Sequence, residues 1–267
     1  MFRSGAAGIL HAGCALVTER PRPLSSASAA VAPGAGDFRR PFITFEGGEG
    51  SGKSTQARLL AEHLRLRGRE VLLTREPGGT PIGEQLRQLG RKPALARRFH
   101  RALTAAEWQQ LDPLAELFLM EASRAQLVGE LILPALARGA VVVSDRFDDS
   151  TLAYQGGGRG LDEEQMRFVN AVATRGLRPV LTVLIDVPPE LGLRRKLGEQ
   201  GRDAIGGESL AFHTRVRAAY RRLAAAEPDR WLVLDGTEPV ERIAEQVWRR
   251  VVSLPQFGDG SLDPPQG

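Results

Sequence analysis

The chain has 267 residues, 42% of them hydrophobic and 25% charged, with a net charge of +4. These are the proportions of a folded soluble protein, and the length suits one α/β core with tails. A single cysteine, Cys14, excludes a disulfide framework or a cysteine metal cluster, and no apolar run reaches the roughly 18 residues of a membrane span. Of 36 basic residues only Lys53, Lys92 and Lys196 are lysines, and no basic run is interleaved with aromatics. Nucleic acid and membrane are therefore not expected partners.

Residues 1–40 are rich in Ala, Ser, Gly, Pro and Arg, with only Glu19 and Asp37 acidic. They read as a disordered extension, or alternatively as an organellar transit peptide, with a cytoplasmic location otherwise expected. The first strand is Phe42–Glu46. It runs directly into Gly47-Gly48-Glu49-Gly50-Ser51-Gly52-Lys53-Ser54-Thr55, which contains G-x-x-x-x-G-K-S. An amphipathic helix follows, with Ala57, Leu60, Ala61 and Leu64 on one face and Gly68 to end it. Strand, glycine-rich loop and helix start form a phosphate cradle. Backbone N–H groups and the helix dipole face the anion, Lys53 reaches the β/γ-phosphates, and Ser54 is placed to ligate Mg²⁺.

The second strand, Val71–Thr74, ends in Thr74-Arg75-Glu76-Pro77-Gly78-Gly79-Thr80. After a basic stretch, Arg91–His100, expected on a solvated surface, the pattern predicts a long helix from about Pro113 to Arg138, closed by Gly139. The third strand, Val141–Ser144, leads into Asp145-Arg146-Phe147-Asp148-Asp149-Ser150-Thr151, and Tyr154-Gln155-Gly156-Gly157-Gly158-Arg159-Gly160 follows at once. Strands at Val180–Asp186 and Trp231–Leu234 complete the set, and Asp235–Pro239 signals the last helix. The tail, residues 253–267, reads as flexible. Short apolar strands without alternation, separated by helices, predict a doubly wound five-stranded parallel sheet with the ligand at its carboxyl edge. Two arginines at strand ends, Arg75 and Arg146, facing one phosphate loop suggest a second phosphate site, as a nucleotide monophosphate kinase requires.

The segments F-I-T-F-E-G-x-E-G-x-G-K-S-T, T-R-E-P-G-G-T, S-R-A-Q, D-R-F-x-x-S-T and A-Y-Q-G-G-G-R-G together resemble bacterial thymidylate kinase, from about Pro41 to Val251. The resemblance implies the P-loop kinase fold over residues 41–252, a homodimer, ATP and dTMP as substrates and Mg²⁺ as cofactor. It implies further that Glu49 binds the deoxyribose 3′-hydroxyl, that Arg75 and Arg146 hold the 5′-phosphate, and that Arg124 and Thr151 meet the thymine. Tyr154 would pack on the sugar, Gln155 would line the acceptor site, and Asp145 would support the metal. Two positions depart from the family pattern. Met120 stands where an aromatic usually stacks on the base, with Phe118 two residues earlier. In the expected lid, residues 197–208, the family's D-R-x-E becomes Arg202-Asp203-Ala204-Ile205-Gly206. Charge on the transferred phosphoryl would then fall to Arg202, or to Arg194, Arg195 and Lys196 on the preceding helix. Another P-loop nucleotide or deoxynucleoside kinase, or a nucleotide-binding protein with impaired turnover, are the alternative readings.

Overall fold

The computed structural model describes residues 40–89, 111–197 and 208–257. The extension up to residue 39, the stretch Arg91–His100, Arg202 and most of the expected lid lie outside the described residues.

The strands are β1 (Phe42–Glu46), β2 (Val71–Arg75), β3 (Val141–Asp145), β4 (Leu181–Asp186) and β5 (Trp231–Asp235). They form one parallel sheet in the order β2-β3-β1-β4-β5. The expected doubly wound sheet is thus the observed one. β2, β3 and β5 each run one residue further than the apolar pattern, so that Arg75, Asp145 and Asp235 are carried to the carboxyl edge. β1 is buried throughout, because both faces are covered. Ile43 and Phe45 join one core cluster with Leu60, Leu64, Val183 and Val247, while Phe42 joins another with Leu127, Ile132 and Val142. Each such side chain, removed from water, is worth about 1.5–3 kcal/mol.

Helix α1 (Lys53–Leu66) packs behind β1. The predicted long helix is α2 here, Pro113–Leu127. It passes through a π segment, Val128–Ile132, into α3, Leu133–Ala137. Asp112 starts it by accepting from the Leu114 N–H at 2.8 Å. The widening sits where Pro134 has no N–H to give and would crowd the carbonyl of residue 130. A second π segment, Leu152–Gly158, follows the short helix Asp148–Thr151. Its three glycines have a packing role: a Cβ on Gly157 or Gly158 would stand 2.4 Å from Ala219 or Phe212. Both partners lie on α4, Leu210–Ala226. The first residues of the expected tail pack against the core. Leu254 and Phe257 are buried, and Pro255–Phe257 forms a 3-10 turn against the core.

Candidate active site

The loop between β1 and α1 has the cradle geometry. Gly47, Gly50 and Gly52 have φ of 143°, 63° and 95°, values an L side chain rarely adopts. Lys53 Nζ donates to the Gly48 carbonyl at 3.1 Å. Burial pulls its pKa down to about 8, with Arg146 adding to the effect and Asp145, Glu49 and Glu46 opposing it. Ser54 Oγ donates to Asp145 Oδ2, while the buried Asp145 Oδ1 has no partner. A hydroxyl beside a carboxylate oxygen with a spare lone pair suits a hard divalent cation that takes its remaining ligands from phosphates and water. Among the described residues no larger acidic or histidine cluster could hold a metal.

Next to the loop is an open cleft with a cavity volume of about 160 Å³. Glu49, Met120, Arg124, Arg146, Thr151, Tyr154 and Gln155, seven residues singled out from sequence, all line it. Arg146 has φ 76° and projects over the Tyr154 ring, 4.8 Å from its centroid. Its guanidinium meets Glu49 Oε1 at 3.2 Å and the hydroxyls of Tyr154 (3.0 Å), Ser150 (3.2 Å) and Tyr220 (3.2 Å). Burial pushes Glu49 up, but Arg146, Lys53 and Lys196 together outweigh it and hold the carboxyl well below the ordinary range. Burial lifts the Tyr154 hydroxyl to about 12, so it is a neutral donor at physiological pH.

Two site arginines stand differently from the expectation. Arg124 is 3% exposed. Its N–H groups are committed to Glu76 (2.8 Å), to Glu121, to Thr151 and Asn170 (both 2.9 Å) and to the Phe147 carbonyl (3.1 Å). It therefore offers the cleft a positive face without a spare donor. Arg75 sits at the carboxyl edge beside Asp145, yet its side chain is half exposed and pairs with Glu84 at 2.9 Å. On α5 (Pro189–Leu197), Arg195 donates to the Gly236 carbonyl at 2.8 Å, whereas Lys196 reaches Glu49 Oε2 at 2.8 Å. Lys196 is thus the cation of this helix that meets the phosphate loop. Met120 faces the cleft, while Phe118 is exposed and turned away from it.

Sequence reasoning missed the support beneath Arg146. Glu46, on β1, is fully buried and accepts from the Phe147 N–H (2.7 Å), Ser150 Oγ (2.6 Å) and the Tyr220 hydroxyl (2.7 Å). Burial raises its pKa to about 7, with Arg146 partly offsetting that. A charged residue inside an otherwise apolar, doubly covered strand was the available signal. Glu116, which accepts from Gln155 at 2.9 Å and from Arg159 at 3.1 Å, carried no such mark.

A P-loop with a hydroxyl–carboxylate pair beside it, adjoining an arginine-floored cleft at the sheet edge, is the architecture of a P-loop phosphotransferase. The comparisons narrow the class. The thymidylate kinase family profile matches residues 45–247. A thymidylate kinase of Thermomicrobium roseum is 48% identical over 218 residues, covering 81% of this chain and 97% of the relative. One of Deinococcus radiodurans is 46% identical over 210 residues, 79% and 95%. The crystal structure of thymidylate kinase from Ehrlichia chaffeensis superposes with a TM-score of 0.59 at 33% identity, covering 78% of this chain and 96% of that one. The chain belongs to the thymidylate kinase family, ATP-dependent phosphotransferases that convert dTMP to dTDP for dTTP synthesis.

Proposed function

We propose that this chain transfers the γ-phosphoryl of MgATP to the 5′-phosphate of dTMP with the following division of labour. Lys53 leaves the Gly48 carbonyl for the β/γ-phosphate oxygens, and the loop N–H groups hold the β-phosphate. Ser54 and Asp145 would hold Mg²⁺, which when bound neutralises charge shared by the β- and γ-oxygens. Arg146, with Arg75 swung from Glu84, fixes the acceptor phosphate in line with the γ-phosphorus. An oxygen of that phosphate forms the new P–O bond as the bond to the β-bridging oxygen breaks and ADP departs. The nucleophile is already anionic, so no general base is needed. Glu49 accepts from the sugar 3′-hydroxyl, and Tyr154 packs where a 2′-hydroxyl would project. Arg202 is assigned to the transferred phosphoryl, with Arg195, which donates to the Gly236 carbonyl, as the competing candidate.

The observation that carries this reading is Arg146. It is a guanidinium whose side chain is only 14% exposed, on a left-handed backbone and lining a cleft that adjoins the P-loop. Leu114, Phe118, Phe168 and Val172, exposed at 45–71% on two helices packed together, support a homodimer. A coupled ADP-release assay of the full chain with ATP, Mg²⁺ and either dTMP, dUMP or thymidine tests the function. Turnover with dTMP and none with thymidine is expected. Preference for the unphosphorylated nucleoside would sink the acceptor-phosphate assignment.

A further inference from the structure

Behind the cleft wall, Thr151 and Arg124 share a carboxylate that does not itself line the cavity. Thr151 Oγ1 lies 2.9 Å from Arg124 Nη1 and 3.0 Å from Glu121 Oε1, and Arg124 Nη1 also bonds Glu121. Thr151, Arg124 and Glu121 are 1%, 3% and 4% exposed, so water does not compete for these contacts. The direction of each bond follows from the donor inventory. A guanidinium only donates, an ionised carboxylate only accepts, and a hydroxyl has one proton and two lone pairs. The Thr151 proton is thus committed to Glu121 and one lone pair to Arg124. The single capacity Thr151 has left to offer the cleft is an acceptor.

We propose that Glu121 is a specificity-determining positioning residue: by taking the Thr151 proton it turns that hydroxyl into a fixed acceptor, selecting acceptor bases with a ring N–H beside a carbonyl over 4-amino pyrimidines. This rests on the dTMP reading above, which brings the base edge to Thr151. Thymine presents N3–H to that lone pair and its O4 to the positive face of Arg124. Cytosine would set its N3 lone pair against the Thr151 lone pair and its N4 amino group against a cation whose N–H groups are all occupied. Rejection then comes from two mismatched polar contacts in a buried wall, where an unpaired group is costly.

The test is the ratio of kcat/KM for dTMP to that for dCMP, with folding followed by thermal denaturation. Glu121→Met, of similar length, and Glu121→Ala both remove the acceptor and free the Thr151 proton, whereas Glu121→Gln retains an acceptor oxygen. Glu121→Met and Glu121→Ala are each expected to lower the ratio by roughly 10- to 100-fold, the size of one buried polar contact, while KM for ATP stays put. Thr151→Val should lower the ratio similarly, and adding Glu121→Met to it should change the ratio less than about twofold, because the two act as one unit. A merely structural Glu121 would alter melting temperature and leave the ratio at its wild-type value, which overturns the proposal. So would full additivity in the double variant. Should no Glu121 variant fold, an unchanged ratio in Thr151→Val is the overturning result and a lowered one the supporting result. A wild-type chain without dTMP turnover would instead refute the function reading itself.

Discussion

Replacing Glu46 with Gln should alter the pH dependence of stability in a calculable way. Glu46 is 0% exposed, so bulk solvent screens it little. Desolvation is the largest influence on its carboxyl. Arg146 opposes it, Asp149 adds to it, and hydrogen bonds from Ser150 and Tyr220 oppose it. The net result is a folded-state pKa of about 7 against an ordinary 4.5. A raised carboxyl pKa means that the folded state binds the proton more tightly than the unfolded chain. The stabilisation is therefore fully present below pH 4.5 and is lost as pH rises through 7. At about 1.4 kcal/mol per pH unit, the rise corresponds to about 3 kcal/mol. Glutamine keeps an acceptor for the Phe147 N–H and does not titrate, and its amide can donate to the Ser150 or Tyr220 oxygen. Relative to wild type, Glu46→Gln should thus gain about 2–3 kcal/mol between pH 5 and pH 8. Glu76, raised to about 7, and Asp148, raised to about 6, titrate in both proteins and cancel in the difference. Urea denaturation of both proteins at the two pH values reads this directly. A difference in stability that is the same at pH 5 and pH 8 would refute the reasoning.

Lys53→Ala should cut kcat by roughly 10² or more, since it removes a preorganised charge from the transferring group, and near-normal turnover in a steady-state assay would count against the mechanism. Arg146→Ala should raise KM for dTMP by roughly tenfold or more, because charge-assisted bonds to phosphate are lost; an equal rise in KM for ATP would mark Arg146 as the structural partner of Glu49 instead. Tyr154→Ala should shrink the preference for dTMP over ribo-TMP by about 1–3 kcal/mol, read as a ratio of kcat/KM values. Arg202→Ala should slow single-turnover transfer by roughly 10², short of the 10³–10⁵ of a full arginine finger, whereas Arg195→Ala should do less, since Arg195 is bonded to the Gly236 carbonyl. The reverse order would reassign the phosphoryl contact.

The sheet was legible because each strand is a short, mostly apolar or β-branched run without alternation and each loop after it carries its own chemistry. Glu49, Arg146, Thr151, Tyr154 and Gln155 were readable because motifs place them at the ends of β1 and β3. What periodicity could not reveal was which partners those residues already have. The saturation of Arg124 depends on Glu76, Glu121 and Asn170, which come from three separate elements. Tyr220 lies 74 residues beyond Arg146 on a helix whose pattern reads as ordinary core. The strand order, with β1 between β3 and β4, likewise follows from crossovers that no single segment encodes.

The phosphate loop in which Gly50 takes its φ of 63° lies hard against helix α5. A Cβ on Gly50 would fall 1.9 Å from the Gly192 carbonyl oxygen, and one on Gly192 would fall 2.2 Å from the Glu49 carbonyl oxygen. The phosphate loop and helix α5 therefore touch backbone to backbone, with no side chain between them to act as a cushion. In a close-packed interior, such a contact transmits displacement rather than absorbing it. The loop behaves as a fixed anvil braced by α5. Accommodation of an incoming triphosphate falls to the long side chains that already rest on it, Lys53 on the Gly48 carbonyl and Lys196 on Glu49. In the proposed reaction, nucleotide arrival is an exchange of partners by two lysines over a braced backbone, and the helix that carries Lys196 is the same one that braces the loop.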